Sequence, residues 1–284
     1  MIDALVEPWR FGFMQRALLE VLLVALVCGP IGVLLSLRRL AYAGESLGHA
    51  LVPGAAAFAA LGLAAGWGAM IGAVIAAIAV AWLVRRSGAS EDVAVALVFS
   101  VALAVGVIIL TLFTPPQRAT AVLFGDLLAV DRGDLLAAAF GAALLTTVVA
   151  GIVRAATVVA FDPSWARIAG VRVGLIDVVV LLGAALALGI ALRGLGALLG
   201  LALLLAPMAV LRPWVRRVRT LLLLSAPLGA LGGVVGLYLS YAIGLAAGPT
   251  IATVLLTAFL GSRVVAAMRF GGVSFPRSAV RRGD

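Results

Sequence analysis

The chain has 284 residues, 64% of them apolar and only 12% charged, with a mean hydropathy of +1.24. Soluble domains are about 45–50% apolar and ~25% charged, so this composition excludes a soluble globular protein and places the chain in lipid. Its net charge of +9 comes from 21 basic and 12 acidic residues, and every basic residue is Arg; without Lys, a P-loop ATP site and a Schiff-base lysine are both excluded.

A membrane-crossing helix needs about 20 mostly apolar residues. Nine such spans are predicted, at 17–37, 40–62, 67–84, 93–113, 135–153, 173–192, 195–211, 220–241 and 249–267, or eight if one short pair merges. The segment MIDALVEPWRFGFMQR before the first span lacks the short basic region of a signal peptide. Cys28 is the only cysteine, so no intramolecular disulfide is available.

The arginines lie between the spans rather than in one basic domain, which argues against nucleic acid and for membrane topology. With Arg38 and Arg39 on the cytoplasmic side, sixteen arginines fall inside and five outside (Arg10, Arg16, Arg118, Arg132 and Arg193). This satisfies the positive-inside rule and predicts an outer N-terminus and an inner C-terminus. The expected fold class is all-α: one polytopic transmembrane helix bundle spanning residues 1–284, with an Arg-rich cytoplasmic tail at 268–284. Small residues at four-residue spacing, as in Gly62/Gly66, Gly68/Gly72, Gly196/Gly200 and Gly229/Gly233, predict close helix packing.

Ionisable groups at membrane depth are costly, so each is a functional candidate. Glu20 follows Arg16 by four residues and is expected to pair with it within the first span. The segment RRLAYAGESLGHALVPG, residues 38–54, places His49 ten residues beyond Arg39, about 15 Å deep in a ~30 Å core. Glu45 lies one turn before His49 and shares its helix face. Such a pair supplies two ligands to a divalent cation, a hydrogen bond that locks the bundle, or a proton relay. Gly44, Gly48, Pro53 and Gly54 weaken the helix around it, as in helices that line cavities. GESLG within this stretch matches a nucleophile elbow only formally, because the strand–turn–helix context is missing.

Glu91 and Asp92 open the fourth span, where acids cap a helix N-terminus or line an inner vestibule. Asp126, Asp131 and Asp134 crowd the outer loop, read as solvated. The inner segment FDPSWARIAGVR, 161–172, has Asp162–Pro163 at a helix start, Trp165, and an end at Gly170, the makings of a surface knob for a cytoplasmic partner. Asp177 sits close to Arg172 in sequence and is expected to be structural.

Six ordered blocks carry a resemblance over nearly the whole length: GPIGVLLSLRRLAYAGESLGHALVPGAA, SEDVAVALVFSVALAVGVIIL, LFGDLLAV, FDPSWARIAGV, LLGLALLLAPMA and GLAAGPTIATVLL. The chain resembles the membrane permeases of the zinc/manganese/iron group of ABC importers. The resemblance implies a homodimeric, multi-pass permease in the cell membrane, without its own ATP site or a permanently bound cofactor. It would be coupled to cytoplasmic ATPase subunits, fed by an extracellular metal-binding protein, and would carry Zn2+, Mn2+ or Fe2+. By the same resemblance, Glu45 and His49 match the acid and His of the transport path, and 161–172 is the coupling helix, entered at Asp162 and Pro163, with Ala166 and Gly170 as close-packing positions. The family commonly has Asp at the position of Glu45 and Ser at that of Gly48, so here the carboxylate sits on a longer arm. Two other readings have different sequence requirements: a permease for a chelated metal or cobalamin-like cofactor, needing a wide path without ligands, and a stand-alone ion-coupled carrier using Glu45 and His49 as a proton relay.

Overall fold

In lipid the backbone has no water to bond, so apolar runs of this length close their hydrogen bonds internally as helices. The computed structural model describes residues 7–38, 40–63, 65–87, 91–113 and 130–270, without the side chains of 41–45, 91 and 92 among others. Among the described residues every regular element is helical. A 3-10 turn at Glu7–Arg10 precedes α1 (Gly12–Leu37), α2 (Ala41–Ala60), α3 (Ala65–Ser87), α4 (Glu91–Phe113) and α5 (Arg132–Phe161). The short α6 (Pro163–Ile168) follows, then α7 (Val173–Gly194), α8 (Gly196–Leu211), α9 (Val218–Ile243) and α10 (Ala247–Phe270).

Six helices, α1, α4, α5, α7, α9 and α10, are long and apolar enough to cross a bilayer. The apolar parts of α2, α3 and α8 are shorter, at Ser46–Ala60, Ala65–Val80 and Leu199–Leu211. The helix α8, with 16 residues, reaches only about 24 Å. Arg38 and the tail from 271 onward bracket the orientation argument, but the tail lies outside the described residues, as does most of the outer loop with Asp126.

The helix α1 is the centre of the bundle. Its most apolar window is 67% buried, against 17% for α5, which therefore runs along the periphery. It packs on α5, α7, α8 and α9, while α2 is sandwiched between α3 and α4 and joins the rest through α7 and α8. Close approach is made at glycines. A Cβ on Gly32 would strike the Leu204 carbonyl of α8, and one on Gly54 would strike the Gly68 carbonyl of α3. Of the spaced pairs, Gly68/Gly72 meets α2 and Gly229/Gly233 meets Ala25 and Val21 of α1. Gly62 instead sits in a turn at φ +73°, with open space where a Cβ would point.

Candidate functional site

The helix α2 carries both expected pathway residues, and the helical spacing keeps Glu45 and His49 one turn apart on one face. His49 lies about 12 Å along α2 from its start at Ala41. The imidazole is half-buried and meets the Phe99 ring of α4 edge to face, with centroids 6.4 Å apart and planes at 83°. The neighbouring Gly48 is buried, and a Cβ there would sit 2.9 Å from the Leu201 side chain of α8. Ser46 is buried as well. The face bearing His49 is therefore packed between α4 and α8.

Among the described residues no three His, Cys, Asp or Glu side chains come together as a group able to hold a metal ion. A cavity of about 550 Å³ lies between α2, α3 and α4, lined by residues such as Pro53, Phe58, Ile71, Trp82 and Val101. The described residues of its walls offer an ion no ligand, and His49 is not among them.

Near the start of α2, Arg38 at the end of α1 makes a two-point ion pair with Asp177 of α7, Nε to Oδ1 at 2.7 Å and Nη2 to Oδ2 at 2.8 Å. Its Nη1 donates to the Val159 carbonyl of α5 at 2.7 Å. One guanidinium thus ties the ends of three helices and fixes the platform from which α2 departs. Asp177 is thus a structural residue, and its partner is Arg38, which reaches it with two-point geometry across the bundle, rather than the nearby Arg172. The pair is largely out of solvent, at 11% and 26% side-chain exposure. We expect Asp177→Ala to lower stability by about 2 kcal/mol, the loss from a mostly but not fully buried charge left alone. Arg38→Leu/Asp177→Leu should recover most of that loss; thermal unfolding of the detergent-solubilised protein measures both.

At the other end of the bundle Arg16 donates from Nε to the Val130 carbonyl at 2.8 Å, and Glu20 is fully buried, 3.2 Å from where a Gly194 Cβ would stand. Asp131 and Asp134 form a reciprocal capping box at the start of α5, which makes this acid pair a helix-starting device. Glu91 and Asp92 are the first residues of α4, the position where acids favour a helix N-terminus.

The segment 161–172 folds as expected of a compact knob. The Asp162 carboxylate accepts from the Ser164 and Trp165 N–H groups at 2.9 Å each, and Pro163 occupies the first turn, where its missing N–H costs nothing. The helix ends in a Schellman arrangement: Val171 N–H donates to the Ala166 carbonyl and Gly170 N–H to the Arg167 carbonyl, with Gly170 at φ +81°. Ala166 is fully buried within the chain, whereas Phe161, Trp165 and Ile168 are exposed at 74%, 57% and 86%. Phe161 and Ile168 are the residues that sequence reading passed over. An apolar pair three or four residues on either side of Trp165 was the available signal.

A model of the ABC 3 transport family matches residues 10–266. The chain is 31% identical over 254 residues to the manganese transport system membrane protein MntC of Halalkalibacterium halodurans, covering 88% of this chain and 86% of that protein. It is 29% identical to the manganese import system permease protein ScaB of Streptococcus parasanguinis, with 90% and 92% covered. It is 28% identical to a probable iron transport system membrane protein of Haemophilus influenzae, with 85% and 89% covered. The structure of PsaBC from Streptococcus pneumoniae in complex with Fab superposes with a TM-score of 0.85 at 27% identity, covering 92% of this chain and 95% of that one. An inward-facing metal-chelate type ABC transporter shares the fold at a TM-score of 0.72 and 14% identity, with 93% and 90% covered.

Proposed function

The chain belongs to the ABC 3 transport family, and from that premise we propose how its residues move an ion. It is the multi-pass membrane permease subunit of an ATP-driven metal importer, and it is not itself an enzyme: hydrolysis belongs to a separate ATPase chain. The absence of lysine agrees with that division of labour.

The ion passes the face of α2 that carries Glu45 and His49, which give it brief coordination while the bundle alternates between outward and inward access. Placement of an acid and an imidazole one turn apart on a packed inner helix is the observation that carries this reading. Two ligands hold an ion weakly enough to release it, as conduction requires, where a complete four-ligand cage would trap it. A mixed oxygen and nitrogen pair suits Mn2+ or Fe2+, with Zn2+ as the competitor, and the relatives named for manganese and iron point the same way. The tight contact of Gly48 with Leu201 favours a bare ion over a chelate or a cobalamin-like cofactor, which needs a wide path. Uptake of Mn2+, Fe2+ and Zn2+ into vesicles holding the permease and its ATPase, alone and in competition, tests this. ATP-dependent uptake of Mn2+ or Fe2+ is expected; uptake of chelates only would overturn it.

In this reading all nine long helices cross or enter the membrane, with the N-terminus outside and the C-terminus, 268–284, inside. Two copies pair, an extracellular metal-binding protein delivers the ion, and α6 is the coupling helix. Asp162, Pro163 and Gly170 build α6 and Ala166 seats it on the bundle, so the contact with the ATPase falls to Trp165, Ile168 and Phe161. We expect Ile168→Asp to leave the fold intact and to weaken ATPase association roughly 30-fold, the effect of spoiling an interface anchor. Co-purification of the two chains measures it, and unchanged co-purification would remove α6 from the contact.

A further inference from the structure

The peripheral helix α5 and the helix α9 both pack on α1 but leave a furrow of about 570 Å³ between them. Its walls are apolar, formed by Val153, Val158, Leu222 and Leu223, and two arginines flank it, Arg154 of α5 and Arg219 of α9. Neither arginine has an ion-pair partner among the described residues. Thr157, which also lines the furrow, spends its hydroxyl on the Val153 carbonyl of its own helix.

Depth identifies what fills such a space. The uncharged stretch of α5 from Leu135 to Val153 has 19 residues, about 28 Å, which matches the hydrocarbon core. Arg154 is the next residue, and Arg219 is the second of α9, so both guanidiniums stand at the level where headgroup phosphates lie. Leu223, 75% exposed, continues the wall toward the acyl region. Cationic at the rim and apolar below, the furrow is complementary in charge and depth to one class of molecule. We propose that Arg154 and Arg219 bind the phosphate of an anionic phospholipid whose first acyl carbons lie along Val153, Leu222 and Leu223. A zwitterionic lipid offers the same phosphate with its charge already compensated, so the site discriminates by net headgroup charge. The proposal needs only that the bundle is embedded in lipid, and it does not depend on Glu45, His49 or the direction of transport.

Native mass spectrometry of the permease–ATPase complex, titrated with phosphatidylglycerol or phosphatidylcholine, tests it. Each arginine contributes about fivefold in affinity at a membrane surface, so Arg154→Gln/Arg219→Gln should lower phosphatidylglycerol retention about 30-fold and leave phosphatidylcholine unchanged. Arg154→Lys/Arg219→Lys should retain most of the preference, because the charge remains. Equal retention of the two lipids by the unaltered complex would overturn the proposal. So would a preference that survives the glutamine pair, displacement of phosphatidylglycerol by millimolar inorganic phosphate, or a glutamine pair that changes only the association of two permease copies.

Discussion

We expect His49→Ala to abolish metal uptake, to at most about one hundredth of the unaltered rate at low ion concentration, while the ATPase still associates with the permease. The magnitude follows from the ligand count. A site with one carboxylate and one imidazole has no redundancy, and loss of even a supporting group at a metal site costs about 10–100-fold. Glu45→Gln keeps the shape of the side chain, removes the charge, and should fall in the same range. Glu45→Asp restores the shorter carboxylate common in the family and should recover most of the activity, although the oxygen must reach further. His49 also packs edge to face on Phe99, so a purely structural histidine is the competing account. His49→Phe keeps the ring and separates the two: it preserves unfolding temperature under either account, and preserves uptake only under the structural one. Time courses of 54Mn2+ entry into vesicles, with co-purified ATPase as the control for assembly, measure all four variants. Normal uptake by His49→Ala would remove the acid and imidazole from the path.

Periodicity and hydropathy located the helices because the cost of exposing backbone to lipid leaves few alternatives. The span expected at 40–62 is α2, Ala41–Ala60, and the one at 195–211 is α8, Gly196–Leu211. The ends were harder where a charge interrupts a helix that continues. The apolar run at 135–153 stops at Arg154, yet α5 extends to Phe161, because emergence into the headgroup layer changes the preferred side chains and leaves helical hydrogen bonding intact. The short helix α6 was legible because its signals are local: an N-cap aspartate, a proline at the first turn and a closing glycine act within ten residues. The partner of Asp177 was not. It lies 139 residues away at Arg38, and such a pairing is decided by which helices stand side by side. Likewise, α6 turns Ala166 inward and presents Trp165 and Ile168, which depends on how the short helix sits on its neighbours.

Gly32→Ala and Gly54→Ala should each destabilise the protein by about 3 kcal/mol, the upper part of the range for overpacking a tight interface. A helical glycine facing open space is expected to do the opposite: alanine there gains roughly 0.5–1 kcal/mol, because glycine loses more freedom on folding. Gly151 of α5 is such a position, with no atom within 4 Å of where its Cβ would stand. Gly32 and Gly54 differ from it in what they meet. Each would direct its Cβ at a backbone carbonyl, of Leu204 and Gly68 respectively, and a backbone cannot rotate away as a side chain does. The helices must separate instead, and in lipid no hydrophobic force draws them back, since tails replace the lost contacts equally well. The two sites then differ in their functional consequence. Gly32 holds α1 against α8 in the centre, so its variant should chiefly lower the unfolding temperature. Gly54 holds α2 against α3 about one and a half turns beyond His49, so its variant should also shift the imidazole and reduce uptake in the fraction that remains folded. Unfolding followed by tryptophan fluorescence in detergent, with Gly151→Ala as the matched control, measures the stability terms. A Gly54→Ala protein as stable as the control would mean that α2 and α3 do not meet at this glycine.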